Sequence, residues 1–360
     1  MSQVKSAIVV GGSLAGMMAA LALSQKGISS TILERAPKQD RRGAVLSVHA
    51  GARDQSSLAH FLRAVAAGDG RGIESWRMIH QRLQRAVEQD PNIQIKYDVR
   101  VKKVSQNGTS ATAITDNEKY TADLLVGADG GHSQVRKYVN PEQPTAEFAG
   151  YQLWVGIVEE DRLPENLWLD QNTPDFMQYD GERGDFLFAL VTPGMDGSTQ
   201  RGHRQLGIAW YDNSRNEYLY QSGAVKKNQV IHSLNGASFP NELKNELRKE
   251  AKHCFPASYA KAVEIALENN FMVGTPISEY VATKISRGPI TLVGDAAHAL
   301  TPMTANGFNT SLDDAAILAE LTDKYDNGSE IMVEFENERL PIIRRVVQAG
   351  QSFSRSYAGR

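Results

Sequence analysis

The sequence predicts an α/β protein in which a parallel, helix-covered sheet is interrupted by an inserted antiparallel sheet and followed by C-terminal helices. Three observations carry this reading. An apolar run, KSAIVV at residues 5–10, passes through a glycine-rich turn into an Ala/Leu/Met pattern of helical period. Two later runs, DLLVG from residue 123 and ITLVG from residue 290, also end in glycine-bearing acidic turns that feed helices. Between them, YQLWVGIV, DFLFALVTP and RQLGIAWYD alternate apolar and polar residues and are separated by Gly/Pro/Asp turns, as strands of an antiparallel sheet do.

Size and composition agree with such a layout. A chain of 360 residues is too long for one small core, and 41% hydrophobic with 22% charged residues is ordinary globular composition. The net charge of -3 and the lack of a basic arm give no reason to expect nucleic acid. No apolar run is long enough for a membrane span, and MSQVKSAIVVGG enters a strand directly, so a cytoplasmic protein is expected. The single cysteine, Cys254, excludes an internal disulfide and a CxxC redox pair. The eight histidines form no HxxxH-like or facial-triad cluster with carboxylates, so no metal is expected.

The first turn, GGSLAG at residues 11–16, approaches the GxGxxG pattern of dinucleotide-binding turns but has Ser13 at the second glycine position. Gly11 permits the tight turn and Gly16 the close packing of helix on strand. Ser13 is small, its hydroxyl can donate to a phosphate oxygen, and Gly12 keeps the turn pliable. The phosphates are expected at the helix N-terminus, beside Leu14 and Ala15. The next strand, STILER, ends in Glu34, placed to accept from ribose hydroxyls. Asp129 and Gly130 form the second turn; read from the residues alone, Asp129 is equally a helix N-cap. In the third, Gly294-Asp295 is followed by a proline-bearing loop and a helix beginning near Asn309.

In this order the turn at Gly11–Gly16, the Asp129-Gly130 pair and the Gly294-Asp295 pair resemble the three signatures of the class A flavoprotein aromatic hydroxylases, the family of p-hydroxybenzoate hydroxylase. The likeness extends to Ser133 and Arg136, to GDAAHALTP with His298 and Pro302, and to FENERLPIIRRVV, and so covers most of the chain. SWRMIHQRL, AGYQLWVGIV and RQLGIAWYD are similar to the 2,6-dihydroxypyridine hydroxylase type within that family.

The resemblance implies a Rossmann-like FAD-binding domain in two parts, residues 1–150 and 281–325, a substrate-binding sheet at 151–280 and a C-terminal helical segment at 326–360. It implies that Gly11, Ser13 and Gly16 hold the FAD pyrophosphate and Glu34 the adenosine ribose, with Arg35 near the phosphates. Asp295 would accept from the ribityl chain or from a pyrophosphate-bound water, and Asp129 would serve both FAD and a transient NADH or NADPH donor. Arg41 and Arg42 lie where the family's loop approaches flavin and donor. The stretch between Leu46 and Trp76 is shorter than is usual in the family. The loop Pro302–Asn309 would carry the chemistry, because a reduced flavin is anionic and a helix N-terminus offers free N–H groups and partial positive charge. Pro302, Asn306 and Gly307 are the expected catalytic positions, with Ala305, Phe308 and Asn309 beside the flavin. Ala305-Asn306-Gly307 departs from the family's usual GQG, and the alanine is expected to impose an ordinary backbone angle and a different loop shape. His298 is expected to pack the loop and not to act as a base.

In the inserted sheet, Trp154, Phe188, Trp210 and Tyr211 are the candidate substrate-lining residues, and Arg204 the candidate anchor for an acidic or phenolate group; sheet core is the alternative for each aromatic. The implied activity is hydroxylation of a small phenolic or heteroaromatic compound by an FAD-dependent monooxygenase that uses NAD(P)H and O2, through a flavin C4a-hydroperoxide. Such a protein is expected to be a monomer or homodimer. Two rivals share the fold: an oxygenase that inactivates a drug or xenobiotic, and a flavin-bound ligand-binding protein without turnover. A halogenase would need a WxWxIP-type segment, and none of the four tryptophans lies in one.

Overall fold

The computed structural model describes residues 4–38, 45–48, 56–67 and 72–359. Its first sheet has the strand order Ser286–Arg287, Ile290–Leu292, Leu124–Gly127, Ser6–Val10, Ser29–Leu33, Ile93–Lys96, parallel throughout except for the first, antiparallel edge strand. Strands covered on both faces are apolar without alternation, and Ala7 to Val10 and Leu124 to Val126 are accordingly all buried. The helix Leu14–Ser24 packs on this sheet and against the helix Gly307–Leu321.

The register brings the ends of these strands level. Val10 lies beside Leu33 on one side and Gly127 on the other, and Gly127 lies beside Leu292. All four strands are parallel, so the turns that follow them emerge at the same carboxyl edge of the sheet, where open α/β folds bind ligands.

The second sheet is wholly antiparallel, in the order Phe176–Asp180, Phe186–Thr192, Gln205–Asp212, Glu147–Glu159, Val273–Glu279, Leu234–Asn235. The strand Glu147–Glu159 crosses the position at which the sequence suggests a boundary, and a register shift between Phe148 and Gln152 interrupts its pairing with Val273–Glu279. One face of this sheet packs on the helices Asn241–Cys254 and Ala257–Glu268. Its other face carries Tyr151, Phe186 and Tyr211, against which the helix Gly328–Ala358 sets Phe353 and Tyr357. Among the described residues no helix is long and apolar enough to cross a membrane, and no group of three or more His, Cys, Asp or Glu is placed to hold a metal ion.

Candidate functional site

The first turn is closed by steric need. Gly11 has φ +108°, and a Cβ there would lie 2.4 Å from the Ala128 carbonyl oxygen; a Cβ on Gly16 would lie 1.9 Å from the Gly11 oxygen. Only glycine satisfies either position. Ser13 is the N-cap of the helix Leu14–Ser24, and its side chain makes no capping bond. Gly12 donates its N–H to Glu34 Oε2 at 2.7 Å, while Ala36 donates to Oε1 at 2.9 Å. Glu34 is thus buried and held by main chain on both oxygens, not a loose surface carboxylate.

A cleft of ≈ 420 Å³ opens at this edge, lined by Gly11, Ser13, Glu34, Arg35, Asp129 and Gly130, with Arg100, Lys102 and His132 on its rim. Asp129 accepts from Ser133 Oγ and from the N–H groups of Gln134 (2.7 Å) and Val135 (3.2 Å) while facing the cleft; the N-cap of the helix Gln134–Val139 is Ser133, and Asp129 satisfies the helix's first donors from outside that position. Burial pushes its pKa up against these bonds. Burial likewise lowers that of His132, helped by Arg35, Arg136 and Lys137.

Arg136 joins the second turn to the third. Fully buried, it donates from Nη1 to Gly131 O (2.7 Å), from Nη2 to Asp295 O (2.6 Å) and from Nε to Ala296 O (2.8 Å), and its guanidinium lies 4.1 Å from the Tyr280 ring centre. The third turn meets the first directly: Gly294 has φ +60°, and a Cβ on it would come within 2.6 Å of Ala15 Cβ. Asp295 is exposed at this turn, and the surrounding protein displaces part of its hydration and raises its pKa although His298 and Arg136 oppose this.

His298 does not face the cleft. It is buried, with Nε2 2.7 Å from Asp314 Oδ2. That oxygen also accepts from Gly294 N at 3.0 Å, and Arg339 Nε donates to Oδ1 at 2.9 Å. Burial alone would raise the Asp314 pKa, but His298 and Arg339 outweigh it and bring the carboxyl to about 2. Asp314 carries no sequence signal of this role, being an ordinary residue of a long helix, and Arg339 lies in FENERLPIIRRVV without any mark there of its partner. The loop after His298 is fixed by a second pair, Tyr151 with Thr301, and Thr301 also accepts from Met303 N.

The turn Pro302–Thr304 ends at Ala305 with φ 50° and ψ 18°. The expectation of an ordinary backbone angle is therefore corrected: Ala305 takes the left-handed conformation a glycine would take, at a cost of roughly 1–2 kcal/mol. The helix Gly307–Leu321 follows, capped by Asn306 with no side-chain bond, so its first N–H groups lack a side-chain acceptor from the cap. Phe308 is buried, and Asn309 Oδ1 accepts from Arg63 Nη1 of the helix Ser57–Ala67 at 2.9 Å. Arg41 and Arg42 lie outside the described residues.

Beside Pro302, Met303 and Ala305 lies a second cavity, of ≈ 380 Å³, whose other walls are the antiparallel sheet and the short strand pair Val45–Ser47 and Ile73–Ser75. Phe188 and Tyr211 line it, joined by Phe176. Trp154 and Trp210 do not. They are opposite each other in register, fully buried on the helix-covered face, and donate to Asp212 Oδ2 and Asp185 Oδ2, each at 2.8 Å. Alternation along a strand forbids adjacent Trp210 and Tyr211 from sharing a face. Arg204 is a further correction: it is buried in a bidentate pair with Glu160 (2.7 and 2.9 Å) and donates to the carbonyls of Leu169 and Asp170, away from the cavity.

Comparison with known proteins agrees with this geometry. A profile of the FAD binding domain matches residues 4–58 and 75–350. The chain is 25% identical to the 2,6-dihydroxypyridine 3-monooxygenase of Paenarthrobacter nicotinovorans, over 92% of this chain and 86% of that protein. It is 23% identical to the 3-hydroxybenzoate 6-hydroxylase of Klebsiella oxytoca, over 99% and 90%. The solved structure of 2,6-dihydroxypyridine-3-hydroxylase from Arthrobacter nicotinovorans superposes with a TM-score of 0.77 at 21% identity, over 100% and 94% of the two chains.

Proposed function

Because the chain belongs to the FAD binding domain family, we propose that it is an NAD(P)H-dependent flavoprotein monooxygenase that hydroxylates a small aromatic or heteroaromatic compound with O2. The observation that carries this is the convergence of three turns at one sheet edge, with an aromatic-walled cavity against the loop Pro302–Ala305. The cleft fits FAD on steric grounds, since Gly11 and Gly16 let the turn close and the first helix pack on its strand, leaving Gly11 and Ser13 at the helix N-terminus to line the cleft.

Bound FAD supplies the acceptance of hydride from the nicotinamide and the activation of O2. The residues of the chain supply the rest. Gly11, Ser13 and Gly16, with Leu14 and Ala15 opening the first helix, hold the phosphates at its N-terminus. Glu34 and the neighbouring Arg35 face the adenosine end, and Asp129, Gly130, Gly294 and Asp295 the middle of the cofactor. At the ring end Pro302 and Ala305 shape the loop, while Asn306 and Gly307 present the N-terminus of the last buried helix to developing negative charge. The apolar walls keep water from the reacting atoms.

The test is the rate at which NADH or NADPH bleaches the flavin absorption without oxygen, alone and with a panel of aromatic compounds, followed by mass analysis of products made under labelled O2. Faster bleaching with one compound and one labelled oxygen atom in its product support the proposal. A yellow protein that is reduced slowly and oxygenates nothing favours ligand binding without turnover.

A further inference from the structure

The cavity against Pro302, Met303 and Ala305 has a composition that narrows what enters it. Phe176, Phe188 and Tyr211 form a continuous aromatic wall, with ring centres 4.8 Å apart for Phe176 and Phe188 and 5.2 Å for Phe188 and Tyr211. Leu153, Val155 and Leu190 complete the sheet side. Among the described residues no Asp, Glu, Lys, Arg or His lines the cavity, and Ser47 and Tyr211 carry its side-chain hydroxyls. Arg204, which immediately precedes the strand Gln205–Asp212, is spent on Glu160.

We infer that the substrate is an uncharged aromatic, an electron-rich heterocycle without a carboxylate, stacked on the Phe188 and Tyr211 wall and held by the Tyr211 hydroxyl. This deepens the monooxygenase proposal and rests on it. An ion placed here would lose its hydration and meet no counter-charge among the described lining residues, a cost far larger than a stacking contact returns. The side-chain phenols of the same cluster register these surroundings: burial pushes Tyr151 up to about 12 and raises Tyr211 and Tyr357 further. Tyr211 therefore stays protonated and donates, which suits a carbonyl or a ring nitrogen on a neutral ligand. Such a ring draws its reactivity from heteroatom lone pairs and needs no ionisation to a phenolate.

Binding is measured on the FAD-loaded protein without reductant, from the change in flavin absorption, so that its outcome is separate from turnover. The probes are matched pairs: indole with indole-2-carboxylate, and 4-quinolone with its 2-carboxylate. The neutral member of each pair is expected to bind at least about tenfold tighter. Tyr211→Phe should weaken 4-quinolone about fivefold and leave indene, which has no acceptor, unchanged. Ala209→Arg, which places a cation on the same wall, should reverse the order within each pair. Equal or tighter binding of the carboxylates by the unsubstituted protein overturns the inference, as does failure of both neutral probes to perturb the flavin. If the neutral probes bind first but no compound is oxygenated, the monooxygenase proposal fails while the cavity's preference stands.

Discussion

Gly16 and Ala305 are two small residues under opposite constraints. Any side chain on Gly16 collides with the Gly11 carbonyl, so Gly16→Ala must push the first helix off its strand. The expected result is loss of FAD from the purified protein and a fall in stability of about 1–3 kcal/mol, the usual cost of overpacking, read from denaturant unfolding. Ala305 is strained by its own Cβ at φ 50°. Ala305→Gly relieves roughly 1–2 kcal/mol of that strain, while the freer unfolded chain takes back about 0.4–1 kcal/mol. The variant is thus expected to be as stable as the parent or slightly more so, whereas an alanine in ordinary helical conformation would lose stability on the same change. A clear decrease in its unfolding midpoint would show that the left-handed angle is not kept.

Among the elements, the three glycine-bearing turns were legible in the sequence because each follows an unbroken apolar strand, and a buried parallel strand has little reason to end in Gly, with or without Asp, except to make such a turn. The clamp between them was not legible. The resemblance singles out Arg136 but says nothing of its bonds, and only the fold shows its three carbonyl partners, two of them in the Gly294-Asp295 turn. Arg136→Met keeps the bulk and deletes the donors; leaving buried carbonyls unpaired costs about 1–3 kcal/mol each. A destabilisation of at least about 2 kcal/mol with a weakened FAD affinity is expected, measured by thermal unfolding and flavin titration. In the inserted sheet, alternation identified strands but did not tell which face would be the cavity. Adjacent Trp210 and Tyr211 had to separate, and the pairing of Trp154 with Trp210 that decides the matter lies in the register between distant strands. Arg204 was misleading for the same reason, since Glu160 is remote in sequence and near only across folded strands.

At the level of the whole molecule, Asp314 ties the loop at His298, the turn at Gly294 and the C-terminal helix through Arg339 into one buried cluster. Its carboxyl lies at about 2 against an ordinary value of 3.8. A depressed pKa contributes stability that is complete above the unfolded value and lost as the pH falls through the folded one. The loss belongs between about pH 4 and pH 2 and is on the order of 2 kcal/mol. Unfolding followed across that range should show the slope in the parent and not in Asp314→Asn, itself less stable at neutral pH; equal slopes would mean that other carboxylates govern acid unfolding.

The order in which the parallel sheet is filled sets a timetable for synthesis. Strand Ile290–Leu292 closes against Leu124–Gly127 only after the entire antiparallel sheet has left the ribosome. Until then the nascent chain displays an uncovered apolar strand edge, which invites pairing with other chains. A pause or premature stop between these strands is therefore more damaging than one in the last helix, and the cofactor edge is complete only in about the final fifth of translation.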